Sequence, residues 1–413
     1  MKKRNQVIYW IKLVFKALLV LLLFISLFSY AMFQGGFVSW FLLYSIMSLV
    51  ILMLLYTLIP LGSFKVKRDL KKRAIPSGTD MTVTVNVKRK WPFPFLYLVV
   101  EDGIENKLEK QMRNVDYKII FYPSFKKELK YSYTIPNMKR GEYFFYNVRL
   151  ETSDMFGLFK KKKYVTEQDS FLVYPNYHEI ERWSAYEKNE TETRLSSADF
   201  IEDVTSIAGA REYVPGDKLT SIDWKVTARS NKLMTKEFEE YIGQNYMVIL
   251  NNHIPNENSD TLEAYEKSVE LVTSLIMHAT RKQLKVGLWT LGNKHRIFSL
   301  DTGEDHQKRL IYHLSKVEGE NKGSFHTGLK QYDDNIQNGT TLFFASTEIT
   351  DEIIERVRIY LSRRIKVYFC LLKKHHAMDK LEEKRYRELL RIGTDAYLLT
   401  GANIDHVIKA AGD

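Results

Sequence analysis

The sequence predicts a multidomain chain: an N-terminal transmembrane helical hairpin, then a small antiparallel β-sandwich, then an α/β domain built on a parallel sheet. Three observations predict it. Two long uncharged apolar stretches stand near the N-terminus, short alternating strands divided by turn residues follow, and from about residue 246 the rhythm becomes strand then helix. The 413 residues exceed one ordinary domain, and 45% hydrophobic with 13% aromatic content suffices for packed cores.

The first apolar stretch runs from Ala17 to Phe33 and the second from Phe37 to Leu61, neither containing a charge. Crossing a bilayer takes roughly 17 to 25 apolar residues at about 1.5 Å each, and both stretches reach that length. Only Gln34, Gly35 and Gly36 separate them, so residues 1–63 are expected to form a hairpin with both ends on one side. Lys2, Lys3, Arg4, Lys12 and Lys16 precede it, while Lys65, Lys67, Arg68, Lys71, Lys72 and Arg73 follow it against the single acid Asp69. The positive-inside rule then places both flanks, and both termini, in the cytoplasm, with the bilayer itself as a partner. A cleaved signal peptide ending near Ser29-Tyr30-Ala31 is the rival, but it would leave the second stretch to translocate the basic cluster after it. The one cysteine, Cys370, fits a reducing compartment.

These flanks hold nearly all of the formal net charge of +11, so the rest of the chain is close to neutral. A nucleic-acid binder would carry its excess as a patch on the folded domain, and none is expected here. The downstream run Lys160 to Lys163 reads as a solvated strand end.

Residues 64–175 are assigned to the sandwich. Met81–Val87, Phe95–Val100, Tyr131–Ile135, Tyr143–Leu150 and Phe171–Tyr174 read as strands, bounded by turn signals at Pro76-Ser77-Gly78, Pro92, Pro94, Pro136-Asn137 and Gly141. Residues 176–245 are a linker. In 246–413 the apolar runs Met247–Leu250, Val286–Leu291, Leu342–Ala345, Val367–Leu372 and Ala396–Leu399 alternate with helical patterns at Leu262–Arg281, Asp305–Val317, Asp351–Arg363 and Asp379–Arg391. Continuous apolar strands alternating with helices imply a parallel sheet, whose ligands gather beyond the strands' carboxyl ends.

Those ends carry no standard chemistry. Asn251-Asn252-His253 follows the first strand and Ser346-Thr347-Glu348 a later one, with no phosphate loop, nucleophile elbow or zinc-protease motif. His375-His376 lack partners at metal-ligand spacing and read as surface loop. Neither cofactor nor metal is expected.

The linker holds the densest polar segment, REYVPGDKLTSIDWKVTARS from Arg211 to Ser230. Pro215-Gly216-Asp217 is a turn, and Ile222 and Trp224 alternate with Asp223 and Lys225 as in a short strand, acid and base on one face and aromatic anchor on the other. Such a face suits an interdomain ion network or a partner-binding surface. The alternative is a metal-dependent nuclease or other hydrolase, in which Asp217 and Asp223 hold the metal and Lys225 polarises water.

The longer segment Gly209 to Glu239 resembles the defining block of the bacterial domain-of-unknown-function fifty-eight family. Arg211, Tyr213, Pro215, Gly216 and Asp217 fit its R-x-Y-x-P-G-D pattern, Asp223, Trp224 and Lys225 its I-D-W-K, Arg229 its A-R, and Lys236 and Glu237 its closing K-E-F-E. Lys139–Phe145, Ser153–Phe159 and Leu172–Pro175 look like the same family's upstream landmarks. The resemblance implies an anchored plasma-membrane protein with a von Willebrand A-like C-terminal domain. It also implies a MoxR-type AAA+ ATPase partner, sometimes a transglutaminase-like membrane protein, and work in envelope assembly, maintenance or stress. The expected function is accordingly an interaction or scaffold protein facing the cytoplasm. Von Willebrand A metal sites need D-x-S-x-S after the first strand. Asn251, Asn252 and His253 depart from that, and Thr327 and Glu348 match the remaining ligands loosely, leaving too few hard oxygens for Mg²⁺.

Overall fold

The computed structural model describes residues 18, 20–180, 207–214, 221–238 and 245–400, apart from 94, 113–114, 155–156, 158–159, 231, 337–339, 364 and 376–377. It falls into two compact units, Met1–Val173 and Tyr174–Asp413. The protein is a mixed α/β chain with several sheets.

The N-terminal helices correct the predicted hairpin. A helix α1 covers residues 20–34 and α2 covers Phe37–Leu58, with Gly35 and Gly36 at φ 57° and 89° turning the chain between them. Both angles lie in the left-handed region that glycine enters without steric cost. Side chains are described without a break over 20–34 and 37–53, and among the described residues no helix is long and apolar enough to cross a membrane. The transmembrane hairpin, the multi-pass placement and the plasma-membrane localisation are therefore not retained. Lys2 to Lys16 lie outside the described residues.

The second basic flank has a different role from the one predicted. Residues Phe64–Leu70 are strand β1, alternating buried and exposed, so Lys65 and Lys67 point outward while Arg68 points in. The Arg68 side chain is fully enclosed and paired with Asp102. The end of α2 is fastened to the same unit: Tyr56 Oη lies 2.9 Å from Thr152 Oγ1, and its ring meets Phe95 edge-on.

Two antiparallel sheets make up the rest of the first unit. One has the order β1-β3-β6, with β3 Met81–Arg89 and β6 Glu128–Ile135. The other has the order β2-β9-β7-β4-β5, with β8 also on β7; these are β2 Ala74–Pro76, β4 Leu98–Ile104, β5 Lys118–Phe121, β7 Gly141–Ser153, β8 Lys160–Val165 and β9 Asp169–Tyr174. A short helix, α3, spans Asn106–Gln111. Period-two alternation sends Met81, Val83, Val85 and Val87 of β3 into the same core as Leu98, Val100, Val148 and Leu150. Each such side chain contributes about 1.5–3 kcal/mol by leaving water. The lysine run 160–163 is strand β8, and Lys161 donates to the Ile59 carbonyl at 2.8 Å.

In the second unit a two-stranded ribbon, β10 Ile207–Glu212 with β11 Met234–Phe238, precedes a six-stranded sheet. The chain between the ribbon strands carries the short helix α4 Trp224–Ser230. The large sheet has the order β14-β13-β12-β15-β16-β17, with β12 Asn245–Asn251, β13 Lys285–Leu291, β14 Arg296–Asp301, β15 Thr340–Ser346, β16 Val367–Lys373 and β17 Asp395–Thr400. All neighbours are parallel except β14, which runs antiparallel to β13 at one edge. This is a doubly wound order that reverses between β12 and β15. Its helices are α5 Ser259–Arg281, α6 Glu304–Lys316, α7 Phe325–Tyr332, α8 Asp351–Ser362 and α9 Lys380–Arg391. The side chains of Asn258, Thr350 and Asp379 cap α5, α8 and α9 by accepting from Thr261, Ile353 and Glu382 amides. The sheet is buried on both faces, which is why its central strands read as unbroken apolar runs.

Candidate functional site

The ribbon and α4 form one local unit. Ala210 faces Lys236, Arg211 faces Thr235 and Glu212 faces Met234, and the ladder slips by one residue between Ile207 and Gly209. Tyr213 N extends the pairing to Leu233 O at 2.9 Å, and Asp223 N reaches Met234 O at 2.9 Å. Ile222 and Thr235, both buried, pair in an isolated bridge.

Asp223 acts at the start of α4. Its Oδ1 accepts from Lys225 N at 3.0 Å and Val226 N at 3.1 Å, satisfying two amides that the first helical turn leaves without intrahelical acceptors. Thr227 closes the unit from the other side by accepting from Met234 N at 3.0 Å. Glu212 pairs with Lys232, whose ammonium pKa is raised by that carboxylate.

The expected short strand over Ile222–Lys225 is therefore corrected: the chain turns into a helix at Trp224 because Asp223 caps it. Trp224 does not anchor a core; it is 68% exposed, with Val214 and Leu233 also exposed. Arg211, Lys225 and Arg229 are exposed as well. Tyr213 and Lys236 are half-buried, and Glu237 takes its backbone place in β11. Pro215, Gly216 and Asp217 lie outside the described residues.

A second polar cluster forms where the sheet order reverses. Asn251 ends β12, and its Nδ2 donates to Ser346 Oγ at 3.0 Å at the end of β15 and faces Glu348 Oε1 at 3.4 Å. His253 N donates to Asn251 Oδ1, and His253 Nδ1 lies 2.7 Å from Glu348 Oε1. Ser346 Oγ donates to the Glu348 carbonyl at 2.8 Å, so this hydroxyl is committed to holding the loop. Asn252 points elsewhere, accepting from Tyr265 Oη at 2.9 Å. Thr327 sits in the first turn of α7, which Ser324 caps through the Thr327 amide. Among the described residues no group of three or more His, Cys, Asp or Glu side chains gathers to hold a metal. Sequence reasoning named each tripeptide, but not that adjacent strands would bring His253 and Glu348 into contact.

Comparison with known proteins bears on the chain as a whole. The family model described as "Protein of unknown function DUF58" matches residues 209–368, which take in the ribbon from Gly209 onward, α4 and the large sheet's strands β12 to β15. The uncharacterized protein YeaD of Bacillus subtilis (strain 168) is 33% identical over 313 residues, covering 75% of this chain and 77% of that one. Among solved structures, the PilB minor pilin from Streptococcus sanguinis is 8% identical with a TM-score of 0.29, over 77% of this chain and 86% of its own. Spo0M, a sporulation control protein from Bacillus subtilis, is 16% identical with a TM-score of 0.14, over 37% and 58%. Scores this low carry no conclusion about fold or function. The 33% identity to YeaD over three quarters of the chain and the family match across the ribbon agree with the residue pattern, and the chain belongs to the DUF58 family.

Proposed function

We propose that this chain is an interaction protein that docks a MoxR-type AAA+ ATPase through the ribbon and α4, in the service of cell-envelope assembly, maintenance or stress. The observation that carries the reading is Trp224, a large aromatic left 68% exposed on a unit whose backbone is otherwise well satisfied. Tryptophan and arginine dominate the energetics of protein interfaces, and here Trp224 shares a short helix with Arg229. Lys225 and Arg211 add positive charge, so the partner surface is expected to be acidic with an apolar pocket. The choice of ATPase rests on the family resemblance. A nuclease is not favoured, because Asp223 already spends one carboxylate oxygen on two backbone amides at the start of α4.

Crosslinking in cells tests the reading. Full-length chain carrying a photoreactive residue at Arg229 is compared with the same chain bearing Trp224→Ala, at matched abundance. Recovery of a AAA+ ATPase that disappears with Trp224→Ala is the expected result. Recovery at an unchanged level, or no ATPase with either chain, overturns it.

A further inference from the structure

Two loops cross between the antiparallel sheets of the first unit, residues 90–97 from β3 to β4 and residues 122–127 from β5 to β6. Arg89 fastens them to each other. Its buried guanidinium donates to the carbonyls of Lys126 and Ser124, both at 2.6 Å, and of Pro123 at 3.3 Å on one loop, and to that of Phe93 on the other. Phe95 and Ser124 pair in an isolated bridge, and the Phe95 ring packs beneath against Phe64 and Tyr56. Arg89 thus spends its N–H donors on backbone carbonyls, and among the described residues no carboxylate pairs with it, so its charge is not cancelled locally.

Loops held this firmly still leave large apolar side chains in water. Trp91 is 60% exposed, Tyr122 77% and Phe125 68%, with Phe93 and Leu96 exposed beside them. One such side chain on a surface is ordinary, whereas several on two fastened loops mark a contact surface. Their charged company is basic: Lys90, Lys126 and Lys127 are exposed and have no acid partner among the described residues. Neither Lys88–Val100 nor Lys118–Lys127 contains an acid, and Glu128, which follows, is paired with Lys88 at 2.7 Å. Apolar surface continues past the loops, because Tyr56 near the end of α2 accepts from Leu96 N at 3.3 Å and Leu52, Leu55 and Leu58 of that helix are exposed.

This combination selects among partners. Protein interfaces are rich in aromatic residues and arginine but depleted in lysine. A single-stranded nucleic acid would stack on the rings, yet it would meet the uncharged leucines of α2 next to them. A lipid surface suits every part: tryptophan and tyrosine settle at headgroup level, lysines lay their stems along apolar surface, and their ammonium groups meet anionic headgroups.

We propose that this two-loop face rests on a lipid surface carrying anionic headgroups, with Trp91, Tyr122 and Phe125 among the headgroups and Lys90, Lys126 and Lys127 on the phosphates. The loops lie on the surface and do not cross it. This site belongs to the first unit and does not rest on the ATPase reading above.

The test uses full-length protein and vesicles of dibrominated phosphatidylcholine, alone or mixed with phosphatidylserine. Bromine quenches tryptophan only at close range, and the fluorescence lost in Trp91→Phe isolates that reporter from the other tryptophans. Saturable quenching of Trp91 on the mixed vesicles is expected, at lower lipid concentration than on phosphatidylcholine alone. Lys126→Gln and Lys127→Gln, at exposed positions that do not endanger folding, should each raise the half-quenching lipid concentration about fivefold on the mixed vesicles. No Trp91-dependent quenching overturns the proposal. Equal quenching on both vesicles, or half-quenching indifferent to both glutamine variants, also overturns it, and tighter binding of the Trp91 face to a single-stranded oligonucleotide than to vesicles would reassign it to nucleic acid.

Discussion

Arg68 and Asp102 form an ion pair with both side chains fully shielded from solvent, linking β1 of one antiparallel sheet to β4 of the other. Arg68 also donates to the carbonyls of Tyr146 at 3.0 Å and Glu167 at 3.1 Å, and its guanidinium lies over the Phe145 ring. Tyr133 donates to Asp102 at 2.7 Å from the first sheet. Burial alone would lower the Arg68 pKa, but Asp102 more than offsets it and the value is raised. Burial, followed by the charge of Asp102, pushes the Tyr133 phenol well above its ordinary range.

Removing one partner strands the other charge without solvent. Asp102→Ala is expected to destabilise the protein by about 3–5 kcal/mol in chemical denaturation. Tyr133→Phe, which keeps the ring and deletes one hydrogen bond to a charged group, should cost about 1.5–3 kcal/mol. Equal denaturation midpoints for wild type and Asp102→Ala would show that the pair does not hold the sheets.

The residues after β9 are tied to α5 by His278, whose Nδ1 lies 3.0 Å from the Ile180 carbonyl and whose pKa is lowered, chiefly by burial. A histidine kept neutral in the folded state binds fewer protons than in the unfolded chain. Its contribution is therefore present above the ordinary value of about 6.5 and is lost as pH falls below it. Melting temperature should drop between pH 7.5 and 5.5 more steeply in wild type than in His278→Gln. Parallel pH profiles would remove His278 from the account.

Cys370 lies in the middle of β16, enclosed by the core, and burial pushes its thiol up to about 12. Thiolate is the reactive form, so native protein at pH 8 is expected to resist maleimide on the hour scale and to label at once in denaturant. Rapid labelling of the native protein would mean that β16 opens far more readily than its packing implies.

Asp223 and Trp224 are adjacent, yet their substitutions should separate. Asp223→Ala removes the α4 cap and should cost about 1 kcal/mol, with faster amide exchange at Lys225 and Val226, while Asp223→Asn should preserve most of it. Trp224→Ala should leave the unfolding free energy within about 0.5 kcal/mol of wild type, because the ring is mainly in solvent. A large loss from Trp224→Ala would return the tryptophan to the anchoring role first expected of it.

Strong periodicity was legible. The five apolar runs of the large sheet and four of its helices are visible in sequence, since a strand buried on both faces and a helix with one apolar stripe each leave a repeating mark. Strand β14, Arg296–Asp301, was not, because an edge strand with polar residues has only half such a mark. Helix α4 was missed for a different reason: its seven residues are too few to show a period, and only the Asp223 cap declares it.

By itself the sequence determined the antiparallel and the strand-helix regions, the family block from Gly209 to Glu239, and the near-neutral charge of the chain beyond its basic N-terminal segments. Those properties are local or compositional, and neighbouring residues suffice to express them. Tertiary structure decided that Arg68 is an interior cation, that Trp224 faces solvent, that His253 meets Glu348, and that Arg89 fastens two loops together. Each of those depends on residues far apart in the chain or on which face of an element is covered, and a linear pattern does not contain that information.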